Sequence, residues 1–199
     1  MNLFLKILRL LPPEIAHKIA LDLLSLSHRL GILSFIFRKP NDENCSFAGM
    51  NLRNRLGTAA GLDKNGDYID CLGALGFGFL EVGTVTPMPQ YGNPKPRVFR
   101  NFNENSIIIR LGFNNGGVDR LIKNLRTRSF EGILGVNVGA NKNSKGDERI
   151  NDYLHCIEKV HKYADYITVN VSSPNTPNLR NLQSDENLVD LVSKVDKLV

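Results

Sequence analysis

The chain has 199 residues, enough for one globular domain with its own core, and its 42% hydrophobic and 23% charged residues are ordinary for a folded protein. Its three cysteines are scattered, with no spacing typical of a metal site, which favours a reducing compartment. Of the formal net charge of +5, residues 1–39 carry +4, which argues against a nucleic-acid-binding face spread over the whole chain.

The first 39 residues predict a pair of basic, apolar helices. Leu3, Ile7 and Leu11 recur at helical spacing. Pro12 ends this helix, and Pro13 can open the next one, because a first-turn N–H has no partner within the helix. No stretch reaches the roughly 18 apolar residues that span a bilayer. Two interpretations stay open: an amphipathic segment on an anionic membrane surface, or a helical hairpin packed on its own domain.

From residue 56 onward the chain repeats a strand followed by a helix. Residues 56–63 predict a strand that runs into a loop, and further strands are predicted at 79–85, 132–139 and 166–171, with short strands around 97–100 and 106–110. The predicted helices lie near 66–75, 116–126 and 147–163, and a last helix is capped by Ser184. Strands joined by right-handed helical crossovers form a parallel α/β sheet.

Two architectures fit this pattern, a doubly wound open sheet and a (β/α)8 barrel. Every predicted strand ends in polar or glycine residues, and Val-Asn-Val occurs in both the third and the fourth. In a barrel all strand ends meet on one face, whereas an open sheet gathers its site at one switch point. The pattern favours a barrel. A complete barrel needs roughly 250 residues. We therefore assign 1–39 to an N-terminal helical extension and 40–199 to about the first four βα units.

The end of the fourth predicted strand gathers Asn170, Ser173 and Asn175, just where Pro174 stops the strand. Burying an asparagine without a hydrogen bond costs roughly a few kcal/mol, so Asn170 is predicted to have a partner. These residues alone fit either a turn that caps the strand end or a ligand site. The glycine-rich motifs of nucleotide-binding folds are absent from the sequence.

Five blocks carry a resemblance to a known family. They are residues 59–66 (AAGLDKNG), 81–87 (EVGTVTP), 92–97 (GNPKPR), 110–115 (RLGFNN) and 170–177 (NVSSPNTP). In order and spacing they resemble dihydroorotate dehydrogenase, in particular its membrane-associated, quinone-dependent class. The resemblance implies a barrel flavoprotein, an oxidoreductase that binds FMN and oxidises dihydroorotate to orotate in pyrimidine biosynthesis. It also implies electron transfer to a quinone.

The resemblance also bears on the two interpretations of residues 1–39. In this class such an extension docks on the membrane and frames the quinone entrance, which favours the membrane interpretation. The implied location is peripheral, on the cytoplasmic face of a bacterial inner membrane.

The resemblance assigns roles residue by residue. Ser173 corresponds to the base that takes the C5 proton, and because serine is a weak base its hydroxyl must pass a proton on or be polarised. The implied FMN contacts are Ala60, Gly61, Leu62, Asp63, Lys64, Thr84, Asn137 and Asn170. The implied substrate contacts are Lys64, Arg110, Leu111, Gly112, Phe113, Asn170 and Asn175. Amides offer donors and acceptors to a pyrimidine, a lysine offers a charge to a carboxylate, and no metal is implied.

Two departures from the family pattern matter. Ile109 stands where the family has an asparagine that contacts the pyrimidine, and losing that hydrogen bond costs roughly 1–3 kcal/mol if the ligand group stays dry. The later strands, with a further flavin-contacting lysine and the flavin phosphate site, lie beyond residue 199. We therefore expect the chain to be inactive or weak alone, to self-associate, and not to retain FMN. Two alternatives stay open: a non-catalytic remnant or interaction fragment, and another FMN-dependent barrel oxidoreductase.

Overall fold

The computed structural model describes residues 3–174, residue 176 and residues 179–198, with side chains from residue 6 onward. The helices are α1 (Leu3–Leu10), α2 (Pro13–Arg29), α3 (Leu33–Ile36), α4 (Ile69–Gly73), α5 (Val118–Thr127), α6 (Asp147–Val160) and α7 (Asp185–Asp196). The strands are β1 (Cys45–Phe47), β2 (Met50–Leu52), β3 (Phe79–Val85), β4 (Val98–Asn101), β5 (Ser106–Ile109), β6 (Ile133–Val138) and β7 (Tyr166–Val169).

The core of the molecule is a parallel sheet in the order β3-β6-β7. Val82 pairs with Val136, and Val136 pairs in turn with Ile167. The β-branched and apolar runs of β3 and β6 form these strands because both faces are covered, which is typical of parallel sheets. The parallel α/β fold predicted from the sequence is confirmed.

Helices α5, α6 and α7 supply much of the layer that packs on this sheet. Their apolar residues belong to the same buried cluster as the sheet residues; the largest fully buried side chains among them include Leu121, Tyr153, Ile157 and Leu191. On α6 they recur at helical spacing, so one stripe of the helix faces the sheet. The opposite face of the sheet is more polar and carries Glu81, Asn137 and Thr168.

The first predicted strand forms only in part. Within 56–63 Gly57 makes an isolated parallel bridge to Phe79, and the chain then turns into the predicted loop earlier than expected. The cause is Asp63, whose carboxylate accepts hydrogen bonds from the backbone N–H groups of Asp67 (2.9 Å) and Tyr68 (2.7 Å). These bonds hold the segment as a loop and delay the helix, so the helix predicted near 66–75 is only Ile69–Gly73.

Three smaller differences have local causes. The β1–β2 hairpin was missed, since its three-residue strands are too short for a periodic signal, and its turn places Ala48 and Gly49 at positive φ. The helix predicted at 147–163 ends as an α-helix at Val160 and continues as a 3₁₀ turn. Ser184 precedes α7 as predicted, but its hydroxyl donates to the carbonyl of Asn181 and does not cap the helix.

The N-terminal helices lie against the rest of the chain. Pro13 is the first residue of α2, as predicted. Glu14 of α2 forms an ion pair with Arg97 (2.8 Å), and Tyr68 donates its hydroxyl to Asp22 (2.7 Å). Arg100 donates to carbonyls at the end of α1, which have no partner within the helix. In the part of the chain that the structure describes, no helix has the length and apolar character needed to cross a bilayer.

Candidate functional site

Three polar side chains meet where the three parallel strands end; we call Thr84, Asn137 and Asn170 the strand-end cluster. The Thr84 hydroxyl donates to Asn137 Oδ1 (2.6 Å). Asn170 Nδ2 donates to Asn137 Oδ1 and to Thr84 Oγ1 (both 3.1 Å). Thr84 and Asn137 are buried. The convergence expected for the carboxyl ends of parallel strands is therefore present at these three residues.

Asn170 is half-buried and has hydrogen-bond partners, so that prediction is confirmed. Its Oδ1 accepts from the backbone N–H of Ser172 (3.2 Å), and its backbone carbonyl accepts from the buried Tyr153 hydroxyl (2.7 Å). Ser173 follows, half-buried, just beyond β7. Asn175, the remaining residue predicted in this stretch, lies outside the described residues.

The loop with Ala60, Gly61, Leu62, Asp63 and Lys64 is tied to the end of β3. Gly61 N–H donates to the carbonyl of Gly83 (2.7 Å), and Gly83 N–H donates to the carbonyl of Asp63 (3.0 Å). Gly83 has φ of 109°, and a Cβ there would lie 2.3 Å from the carbonyl oxygen of Asn137, so only glycine fits. The predicted loop and the strand-end cluster are thus neighbours.

Burial shifts the pKa values of two titratable side chains in this loop. Burial raises the pKa of the Asp63 carboxyl, while the N–H groups of Tyr68 and Asp67 oppose the rise. Burial and the positive charge of Arg97 lower the pKa of Lys64 to about 8, and Glu14 opposes the change. Asp63 therefore holds the loop, whereas Lys64 remains a largely protonated cation at neutral pH.

A cavity of about 940 Å³ lies between helix α2, this loop and strand β5; we call it the α2 cavity. Residues lining it include Pro13, Glu14, His17, Gly61, Leu62, Asp63, Lys64, Tyr91, Arg97, Ile107, Ile109, Leu111, Asn114 and Asn115. Burial lowers the pKa of His17, and the charge of Lys64 adds to this effect. The cavity therefore combines apolar walls with a neutral imidazole and cationic groups.

The segment Arg110, Leu111, Gly112 and Phe113 reaches the site only in part. Leu111 lines the α2 cavity. Phe113 has φ of 52°, and its carbonyl accepts from the side chains of Asn115 (2.8 Å) and Gln90 (3.1 Å). The Arg110 side chain instead donates to the carbonyl of Pro96 (3.0 Å) and lies 5.4 Å from the ring centroid of Phe99. The contact of this loop with the substrate stays a prediction.

Ile109 is the last residue of β5, is 53% exposed and lines the α2 cavity. Ile107, two residues earlier on the same strand, lines the cavity as well. An isoleucine offers no hydrogen bond, so this wall is apolar where the family pattern predicts an amide.

The sequence prediction missed two residues of the site. Arg97 is 6% exposed and lies at the α2 cavity, paired with Glu14. Glu81 lies on β3 and accepts hydrogen bonds from Asn137, Tyr166 and Thr168. The available signal for Glu81 was a charged residue inside an otherwise apolar strand, which is rare unless it is paired or hydrogen-bonded.

The sequence of the chain is similar to that of a known protein family. Residues 44–199 match the family model described as dihydroorotate dehydrogenase. A protein of Acinetobacter baylyi named dihydroorotate dehydrogenase (quinone) is 51% identical over 187 residues, covering 94% of this chain and 55% of that protein. One of Buchnera aphidicola with the same name is 53% identical over 172 residues, covering 86% and 51%.

Solved structures show the same similarity. Ligand-free DHODH from Eimeria tenella superposes with a TM-score of 0.80 at 35% identity, covering 94% of this chain and 52% of that one. The complex of the Eimeria tenella protein with ferulenol gives a TM-score of 0.79 at 33% identity, with 94% and 50% covered. The chain thus spans about half the length of the curated relatives it matches.

Proposed function

The chain belongs to the dihydroorotate dehydrogenase family, and from this premise we propose that it carries one half of a site that oxidises dihydroorotate to orotate in pyrimidine biosynthesis. FMN would be the bound cofactor and a membrane quinone the final acceptor. The sheet and its helices would be about the first four βα units of a (β/α)8 barrel spanning 40–199. Residues 1–39 would be a separate membrane-associating extension.

The observation that carries the proposal is the strand-end cluster beside the glycine loop. Three adjacent parallel strands present Thr84, Asn137 and Asn170 within hydrogen-bond distance of one another. A polar cluster of this kind, at the carboxyl ends of parallel strands, is where α/β enzymes bind their ligands. Residues 61–64 of this loop also line the α2 cavity, so the loop connects the cluster with the cavity.

The residues present fit an FMN ring. Gly61 leaves open space beside the backbone, since no heavy atom lies within 4 Å of where its Cβ would be. A flat ring can therefore approach the backbone closely. Amide and hydroxyl groups at positions 84, 137 and 170 can bind its polar edge. FMN, when bound, supplies the acceptor for the hydride that leaves C6 of dihydroorotate.

The chain's own residues would manage the substrate's charge and proton. Ser173 would take the C5 proton at its hydroxyl oxygen while passing its own proton onward, because a neutral serine is a weak base. Lys64, with a pKa of about 8, is mainly protonated at neutral pH and would attract the substrate carboxylate. Asn170 and Asn175 would orient the pyrimidine through their amides.

The α2 cavity would admit the quinone. It joins α2 to the loop that holds Lys64, so an acceptor entering beside His17 would reach the flavin loop without crossing the sheet. Apolar walls suit a quinone ring, and the neutral His17 and cationic Arg97 could bind its carbonyl oxygens. The net charge of +4 in residues 1–39, with Phe35 90% exposed on α3, supports docking on an anionic membrane surface, on the cytoplasmic face of a bacterial inner membrane.

The test is reconstitution with a complementing half. The chain is co-expressed with the segment of the Acinetobacter baylyi relative that this chain does not match, and FMN content and dihydroorotate-dependent reduction of a quinone analogue are measured. The proposal expects a yellow complex with turnover that requires dihydroorotate. A yellow, correctly assembled complex that is not reduced by dihydroorotate would contradict it.

Ile109 favours a second candidate, a fragment that keeps the fold but has lost the pyrimidine chemistry or acts on another flat ring. Ile109→Asn in the reconstituted complex separates the two. If the lost amide is the defect, dihydroorotate turnover rises by roughly 10-fold, the lower part of the 1–3 kcal/mol range for a restored buried hydrogen bond. No response to dihydroorotate in either form, with FMN bound, favours the second candidate.

A further inference from the structure

Glu81 is a carboxylate on the polar face of the central sheet, one residue before Val82 and three before Thr84 on β3. Its Oε1 accepts from Asn137 Nδ2 (2.9 Å) on β6. Its Oε2 accepts from the hydroxyls of Tyr166 (3.0 Å) and Thr168 (3.1 Å) on β7. One side chain thus connects all three strands of the sheet. Among the described residues it forms no ion pair.

An ionised carboxylate can only accept hydrogen bonds, and this fixes the direction of every bond downstream of it. Asn137 must turn its NH₂ toward Glu81, so its Oδ1 faces the other way. That oxygen then requires donors, and it receives the Thr84 hydroxyl (2.6 Å) and Asn170 Nδ2 (3.1 Å). The Thr84 hydroxyl directs its proton to Asn137, so its oxygen is free to accept a hydrogen bond from Asn170 Nδ2 (3.1 Å).

We propose that Glu81 is a positioning residue for the strand-end cluster: its carboxylate fixes the amide of Asn137 in one orientation and thereby sets the direction of the hydrogen bonds among Thr84, Asn137 and Asn170. The significance for catalysis rests on the proposed function, because those three residues are the proposed flavin contacts. A glutamine at 81 could turn either a donor or an acceptor toward Asn137, so the same volume would no longer impose one direction.

The orientation also determines what the cluster can offer a ligand. The two oxygens that Asn170 Nδ2 contacts lie 2.6 Å apart, so they share one of its N–H groups, and one N–H of Asn137 goes to Glu81. The second N–H of Asn137 and the second N–H of Asn170 are therefore the donors left for ligand acceptors, such as a ring carbonyl or ring nitrogen. With the amide reversed, the cluster would present an acceptor at that point and would repel the same ligand atom.

A reciprocal exchange tests the direction on the full 199-residue chain. Asn137→Asp places two carboxylates in contact, and we expect the thermal unfolding midpoint, followed by circular dichroism, to fall by about 5–10 °C or the folded protein to be lost. Glu81→Gln alone should change the unfolding midpoint little. The double variant has the donor at position 81 and the carboxylate at position 137, so it should recover most of the fall in the midpoint. Glu131→Gln and Asn151→Asp, both at exposed positions, are the matched controls.

The outcomes are distinct even if a single variant does not fold. Recovery in the double variant supports the proposal. A double variant as damaged as Asn137→Asp, or an Asn137→Asp chain with an unchanged midpoint, overturns it.

Titration with added FMN, read from the visible spectrum, separates positioning from folding. It uses the FMN-free complex of each chain with the complementing half of the Acinetobacter baylyi relative. The complex with the double variant should bind FMN at least about 10-fold less tightly than the complex with the original chain, since the carboxylate that replaces the amide at position 137 has no N–H to donate. Equal affinity would contradict the ligand-facing donor. If even the complex with the original chain leaves the FMN spectrum unperturbed, the proposed flavin contact fails while the exchange still decides the role of Glu81.

Discussion

The ion pair between Glu14 and Arg97 should decide whether the N-terminal helices stay docked. The Arg97 side chain is 6% exposed and that of Glu14 25% exposed, and both Nε (3.0 Å) and Nη2 (2.8 Å) of Arg97 donate to one Glu14 oxygen. Lys95 lies 3.9 Å from the other oxygen but is 70% exposed, so it contributes little. Glu14→Ala would leave the guanidinium buried with only backbone carbonyl partners, from Tyr91 and Asn93.

Removing one partner of a buried pair costs about 3–5 kcal/mol, and partial solvation of Glu14 places this case near the lower end, about 3 kcal/mol. For a chain of this size that corresponds to a fall in the unfolding midpoint of about 6–12 °C. Arg97→Met should cost less than Glu14→Ala, because the partly exposed carboxylate of Glu14 can be hydrated.

The assay combines thermal unfolding with limited proteolysis of residues 10–13, between α1 and α2. Asp190→Ala is the control, since it breaks an exposed pair with Lys194 (2.8 Å) on α7 that is worth about 0.3–0.5 kcal/mol. A Glu14→Ala chain as stable as the control, with no faster cleavage near α2, would refute the reasoning that this pair holds the helices.

Three further predictions follow from single residues or surfaces. Burial lowers the pKa of Lys64 from 10.5 to about 8, so between these pH values the folded state binds fewer protons than the unfolded state. The free-energy cost of burying the charged amine is therefore full below about pH 8 and vanishes toward pH 10.5. Lys64→Met should therefore stabilise the chain by about 2 kcal/mol more at pH 7 than at pH 10, measured by urea unfolding at both pH values; an equal effect at the two would contradict the shifted pKa. Tyr153→Phe removes the buried hydroxyl that donates to the Asn170 carbonyl (2.7 Å) and should cost about 1–2 kcal/mol in the same assay, whereas Tyr163→Phe at a more exposed site should cost less. Self-association and loss of FMN during purification are expected from the outer edge of β7 and from the exposed apolar residues Leu188, Val189 and Val192 of α7. A preparation that is monomeric in light scattering and yellow in its absorbance would contradict this expectation.

The parts of the fold that could be predicted are those set by local pattern. Val82, Val136 and Val169 lie in β-branched runs long enough to identify the three parallel strands, and the alternation in 166–171 located Asn170 at a strand end. The need for a buried amide to be hydrogen-bonded then predicted that Asn170 has partners, which it does.

The differences come from side-chain contacts that the hydrophobic pattern does not encode. The segment 56–63 carries a strand-like pattern, but the Asp63 carboxylate binds two backbone N–H groups further along and holds a loop. Arg110 belongs to a block that resembles the family, but the pattern could not show that its side chain lies against Phe99 on the neighbouring strand and donates to the Pro96 carbonyl. The role of Glu81 depends on side chains from two other strands, so no pattern within β3 could specify it.

The most direct test of the central claim is anaerobic mixing of dihydroorotate with the reconstituted, FMN-loaded complex, following the absorbance of the oxidised flavin. The account predicts rapid bleaching with the original chain and at least about 100-fold slower bleaching with Ser173→Ala, in line with loss of a general base. FMN content and the unfolding midpoint should stay the same in both. Bleaching at the same rate in the Ser173→Ala complex, or none with the original chain despite bound FMN, would contradict the account.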